Sequence, residues 1–211
     1  MLGAELTPDA VVSRSGGDPA CVPARVELCE LLTLPVVDSN SRAYHCFPMS
    51  HPLYQRSLRL SEADFVLVLE AGVPWLPGES EPGPKAYVAV ISIDPIQLRI
   101  PTFEFTANIR LAADPLIAIR ELVTAVRAML CDDDVERLTQ RARHWRNESS
   151  SRALAREKQA RAVSDKTPIH PLWLSCEIGR VVDDNCIVFD ETMPQNRLHE
   201  FLRCERASSY F

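Results

Sequence analysis

No apolar stretch in these 211 residues approaches the roughly 20 consecutive positions an α-helix needs to span a bilayer. The N-terminal MLGAELTPDAVV has neither a basic start nor a long apolar segment, so it does not read as a secretory signal. Positive charge is not in excess. Lys and Arg number 23 against 29 Asp and Glu, a net charge of -6, which argues against a general affinity for nucleic acid or an anionic membrane. The 7 cysteines are scattered, odd in number and never spaced as CxxC, so neither a disulfide framework nor a zinc site is expected and most read as small core hydrophobes. The 5 histidines show no HExxH and no paired ligand spacing, and GxGxxG is absent. These absences lead to the expectation of a cytosolic chain with no membrane, nucleic-acid or metal partner.

What is present is an ordinary globular composition, 46% hydrophobic and 25% charged, long enough for one good core and part of a second. The most informative stretch runs from ADFVLVLEAGVPWLPG (63–78) to KAYVAVISIDPIQLRIP (85–101). Short β-branched runs that empty into Gly/Pro-dense loops suit strands buried on both faces of a parallel sheet. Strands are predicted at Ala10 to Ser13, Pro35 to Asp38, Asp64 to Leu69, Tyr87 to Ile93 and Asn108 to Leu111. Helices are predicted at Pro19 to Thr33, at a short His51 to Leu60, and after Asp114, where Leu116, Ile119, Val123 and Val126 form one stripe. Strands alternating with helices predict an α/β fold, a parallel sheet flanked by helices on both faces, over residues 1–130.

From 131 to 166 the composition shifts. Between Arg137 and Arg161, both included, there are 8 basic and 2 acidic residues, and 132–166 holds no Gly or Pro. The segment reads as a solvated helical linker, with a phosphate- or RNA-binding arm as the lesser alternative. Residues 167–211 begin a second, partial α/β unit: a helix over Ile169 to Val182, a buried strand over Cys186 to Asp190, and a helix over Pro194 to Arg203. One βα unit cannot close a core alone, so this piece is expected to dock elsewhere or to open locally.

The ordered set LCELLTLPVVDS (28–39), HPLY (51–54), SEADFVLVLEAGVPW (61–75), VISIDPIQLRIP (90–101) and TPIHPLWLSCEIGRVVDDNCIVFDET (167–192) resembles the thiamine-diphosphate-dependent enzymes of the acetolactate synthase type. The resemblance implies a Rossmann-like central domain over 1–130 and the N-terminal part of the diphosphate-binding domain over 167–211. It also implies chemistry on 2-oxo acids with thiamine diphosphate and magnesium. The family's catalytic glutamate lies in a domain without a counterpart before Met1, and its Gly-Asp-Gly motif occurs nowhere in this chain. The chain is therefore expected to be an inactive fragment with a scaffold and subunit-packing role, completed by a homo-oligomer or a companion chain. FAD, which some members bind, is not expected. The loop Glu70 to Trp75 lacks the Arg of flavin-bearing members, and Arg14-Ser15-Gly16-Gly17 is common loop chemistry.

By the same resemblance, the loop after the strand at 186–190 approaches the cofactor diphosphate. Thr192 would offer it a hydroxyl and an amide, and Glu191 would orient a neighbour or a substrate. The alternative is a polar loop that caps the next helix, and two carboxylates at Asp190 and Glu191 would repel a diphosphate without an intervening magnesium ion. Asp94 reads as a turn cap, His51 as a capping or packing residue, and Trp75 as a domain-interface residue. Two other classes stay open: a stand-alone small-nucleotide or structural module, and one part of a split enzyme.

Overall fold

The computed structural model describes residues 8–12, 18–38, 47–56, 59–97, 105–191 and 197–211. Five strands, β1 (Pro8–Val12), β2 (Val36–Asp38), β3 (Phe65–Leu69), β4 (Tyr87–Ser92) and β5 (Ile109–Ala112), form one sheet in the order β2-β1-β3-β4-β5. Every neighbouring pair is parallel, with Leu67 of β3 opposite Ala10 on one side and Ala89 on the other. The expected α/β parallel sheet is present, and each strand lies within a residue or two of its place in the sequence pattern.

Side chains alternate across a strand with period two, which sorts β3 and β4 onto two faces. Leu67, Leu69, Ala89 and Ile91 point into the main core. There they meet Ala24, Leu28 and Cys29 of α1 (Cys21–Leu32) and Ile119 and Val123 of α2 (Pro115–Met129). Full burial of a Leu or Ile side chain contributes roughly 1.5–3 kcal/mol, so this layer carries much of the fold's stability. Asp114 starts α2 by accepting from the Ile117 amide at 3.1 Å, with Pro115 in the first turn where its missing N–H costs nothing.

Val66, Val68 and Val88 point to the opposite face, over Leu60, Ala63 and Trp75. Among the described residues this face carries a single 3-10 turn (Leu60–Glu62) and loops, not the helices expected on both faces. The reason is local. Gly72, Pro74, Pro77, Gly78, Pro82, Gly83 and Pro84 crowd the β3–β4 connection and cannot sustain a helix. Trp75, expected at a domain interface, is instead buried under the sheet, edge-on to Phe105 with ring centroids 5.3 Å apart.

The expected short helix over His51 to Leu60 is also absent from its described part. The Gln55 amide donates to the Val36 carbonyl and the Val36 amide to the Leu53 carbonyl, both at 2.7 Å. These backbone groups extend the sheet beside β2 and are lost to any helix.

The linker is helical as expected: α3 spans Asp132–Arg161, with Asp132, Asp133 and Asp134 at its positive end and Lys158 and Arg161 at its negative end. Thr33 Oγ1, at the end of α1, donates to the Leu138 carbonyl and ties α3 to the sheet unit. Then α4 (Pro171–Val181) follows, its first turn capped by His170 Nδ1, which accepts from the Leu172 amide.

Beyond α4 two expectations fail. Cys186 to Asp190 is not a buried strand: Ile187 is 60% and Phe189 74% exposed. It makes only an isolated parallel bridge, Val188 to Tyr210, through amide–carbonyl bonds with Ser209 and Phe211. In place of a helix over Pro194 to Arg203, the described part has a 3-10 turn at Leu198–Glu200. Leu198, Leu202, Cys204 and Tyr210 then join the main core, and the Met49 amide donates to the Cys204 carbonyl at 3.1 Å.

Candidate functional site

In an open parallel sheet the loops at the carboxyl ends of the strands are the default ligand crevice, above all where strand order reverses, here beside β1. Glu70, the first residue after β3, has a left-handed backbone (φ 53). Its amide donates to the Ile91 carbonyl at 3.0 Å, and its carboxylate accepts from the Ile93 amide at 2.6 Å. Glu70 thus staples the end of β3 to the end of β4. Asp94 Oδ1 accepts from the Gln97 amide at 2.9 Å, which makes it the turn cap that its place before Pro95 foretold.

Cys21 sits buried in the first turn of α1, near the same end of the sheet. Burial pushes its thiol pKa up. Arg25 opposes that rise, and the carboxylates of Asp18, Asp114 and Glu70 add to it. The described part of this crevice is therefore ringed by acids already engaged in turns and caps, and the charge at hand to offset them is the buried Arg25. Arg14 to Gly17 lie outside the described residues.

The second place to look is the loop after Val188. Asp190 is held at both ends: its amide donates to the Phe211 carbonyl at 2.9 Å, and Tyr210 Oη donates to its carboxylate at 2.8 Å. Phe189 and Phe211 stack with centroids 5.0 Å apart. Glu191 follows, exposed, and Thr192 lies outside the described residues. Tyr210 is the partner that sequence reading missed. It stands 20 positions from Asp190 and no local pattern links the two.

His51 fills the packing and capping role: Nδ1 accepts from the Leu53 amide, Nε2 lies 3.2 Å from Glu30 Oε1, and the ring meets Phe47 edge-on. Nothing brings His51, Asp94 and Glu191 together. Among the described residues there is no group of three or more His, Cys, Asp or Glu placed to hold a metal ion, and no helix long and apolar enough to cross a membrane. An acidic loop with no metal-ligand cluster among the described residues does not by itself fit a magnesium-bound diphosphate.

No protein-family model and no curated protein matches this sequence. Solved structures do match. A thiamine diphosphate-dependent 4-hydroxybenzoylformate decarboxylase from Rhodococcus jostii RHA1 aligns over 97% of this chain with a TM-score of 0.63 and 16% identity. Benzoylformate decarboxylase from Polynucleobacter necessarius aligns over 99% with a TM-score of 0.68 and 14% identity. A putative thiamin diphosphate-dependent enzyme from Mycobacterium smegmatis aligns over 99% with a TM-score of 0.65 and 20% identity. The chain spans 37% of the first two proteins and 38% of the third. At these identities what is shared is the fold: the chain is built like a little over a third of a thiamine-diphosphate-dependent enzyme.

Proposed function

We propose that this chain is a portion of a thiamine-diphosphate-dependent enzyme acting on 2-oxo acids. In this reading 1–130 is its central domain, 131–166 a helical linker and 167–211 the start of its diphosphate-binding domain. The observation that carries the reading is the near-complete coverage: 97–99% of the chain follows such enzymes through sheet, linker and C-terminal piece. A central domain alone would leave α3 and α4 unmatched. The ordered motifs from residue 28 to 192 point the same way.

The cofactor, when bound, would supply the electron sink for decarboxylation, while the protein supplies binding and orientation. This chain's part would be structural. Its sheet unit would provide the docking platform, Glu191 and Thr192 would contribute to one wall of the diphosphate site, and magnesium and the remaining ligands would come from other segments. Those segments belong to the same polypeptide, a companion chain or an oligomeric partner, in the cytosol. Two of the three structures are decarboxylases of aryl 2-oxo acids, which favours decarboxylation over acetolactate-type carboligation.

The coding sequence on either side of this reading frame tests the proposal. Expected is a Gly-Asp-Gly segment followed further on by Asn, downstream or in a neighbouring gene, with a glutamate-bearing α/β segment upstream. If neither is found, the enzyme reading falls.

A further inference from the structure

A cavity of about 300 Å³ opens between Tyr54–Arg56, the C-terminal half of α3 and the turn from Arg197 to Glu200. Its lining includes none of Glu70, Asp94, Asp190 and Glu191. Four arginines line it: Arg56, Arg152, Arg156 and Arg197. In a chain of net charge -6 this is a concentration of positive charge that needs a cause.

Ser149, Arg152, Arg156 and Gln159 recur at helical spacing, so one face of α3 carries hydrogen-bond donors into the cavity where a packing helix would carry apolar groups. Two of the arginines have structural duties. Arg56 donates to the carbonyls of His199, Met49 and Leu202 and lies over the Tyr54 ring. Arg197 forks onto the Glu200 carboxylate at 2.8 and 2.6 Å.

The other two are set differently. Arg152 Nη1 donates to Gln55 Oε1 at 2.7 Å, and its Nε lies 3.6 Å from Glu148. Gln55 is only 2% exposed and is itself fixed, Nε2 donating to the Pro52 carbonyl at 2.7 Å. A buried amide thus aims Arg152 into the cavity. Arg156 has no hydrogen bond or ion pair among the described residues. Burial pushes its pKa down, Glu200 opposes the fall, and Arg197 and Arg152 add to it. A half-buried guanidinium repelled by two others, with no hydrogen-bond acceptor of its own among the described residues, carries an electrostatic cost that a bound anion removes.

We propose that this cavity is an anion site that takes a phosphate or diphosphate group, with Arg156 and Arg152 as its principal ligands and Gln159 and Ser149 as neutral donors. Guanidinium forks match phosphoryl oxygens two at a time, and a multiply charged group satisfies two cations that a single carboxylate does not. The inference stands independently of the thiamine diphosphate reading. It requires only this chain.

Calorimetric titration of the purified 211-residue chain with inorganic diphosphate, at constant ionic strength, tests it. Expected is saturable binding that weakens 10-fold or more in R156Q and in R152Q, less in R156K, and is unchanged in R59Q, an exposed arginine outside the cavity. On the wild-type chain, diphosphate should also slow phenylglyoxal modification of Arg152 and Arg156 but not of Arg59, mapped by peptide mass spectrometry. This second readout needs no variant to fold. Absence of saturable binding, equal losses in R156Q and R59Q, or unprotected Arg152 and Arg156 would each overturn the proposal.

Discussion

Glu200 shows how one side chain's setting fixes when it stabilises. Burial alone would raise its pKa, but the bond and charge of Arg197 outweigh that, His199 and Arg156 help, and the net shift is downward. A carboxylate with a folded pKa below its unfolded one contributes stability above the unfolded value and loses it as pH falls through the folded one. E200Q should therefore cost about 1 kcal/mol at pH 7, a partly screened charge-assisted pair, and the gap should close as pH drops below about 4. Urea melts at pH 7 and pH 3 measure this, and a pH-independent gap would assign the loss to packing. Little of this was legible in the sequence. Glu200 and Arg197 share a turn, so their pairing is local, but the contribution of Arg156 on α3 exists only after α3 folds back. The cysteines were easier. Cys21, Cys29, Cys176 and Cys204 are buried as the scattered pattern suggested, and burial pushes Cys29 up to about 12. Cys131, exposed where α3 begins, and Cys186, half-buried, are the exceptions among the described cysteines.

Elements with strong period-two or helical patterns stand where the sequence put them, because the same apolar alternation that marks them also pays for their burial. Where the pattern failed, backbone hydrogen bonds were decided by distant partners: Gln55 by Val36, and Val188 by Ser209 and Phe211. The second of these leads to a prediction. Val188 makes a lone bridge at the surface, whereas Val66 and Leu67 lie in a strand paired on both sides. In hydrogen exchange the Val188 amide should exchange faster than those of Val66 and Leu67. Equal protection would show that the C-terminal piece unfolds only with the sheet. A second prediction concerns α4. A Cβ at Gly179 would lie 2.5 Å from the Phe201 carbonyl oxygen and 2.8 Å from its Cβ. Alanine favours helix over glycine by about 1 kcal/mol, but a backbone clash costs about 1–3 kcal/mol. G179A should therefore lower the melting temperature, and a rise would mean that α4 and the turn after it separate readily.

At the scale of the molecule, the fold class was legible, since an ordered set of motifs carries topology even where each motif is weak. The site was not. Thr192 lies outside the described residues, Glu191 stands exposed, and the Asp190–Tyr210 bond joins groups that no spacing connects. What the proposal requires is that this chain supply one wall of a cofactor site whose metal and diphosphate ligands lie on other segments. Titration of thiamine diphosphate with magnesium, followed by decarboxylation of pyruvate and benzoylformate, tests that claim most directly. It should be done on the isolated chain and on the chain reunited with the Gly-Asp-Gly-bearing and glutamate-bearing segments. The account predicts neither binding nor turnover for the isolated chain, and both once the segments are joined. Cofactor binding or turnover by the isolated chain, or a reunited protein that binds no cofactor, would contradict it.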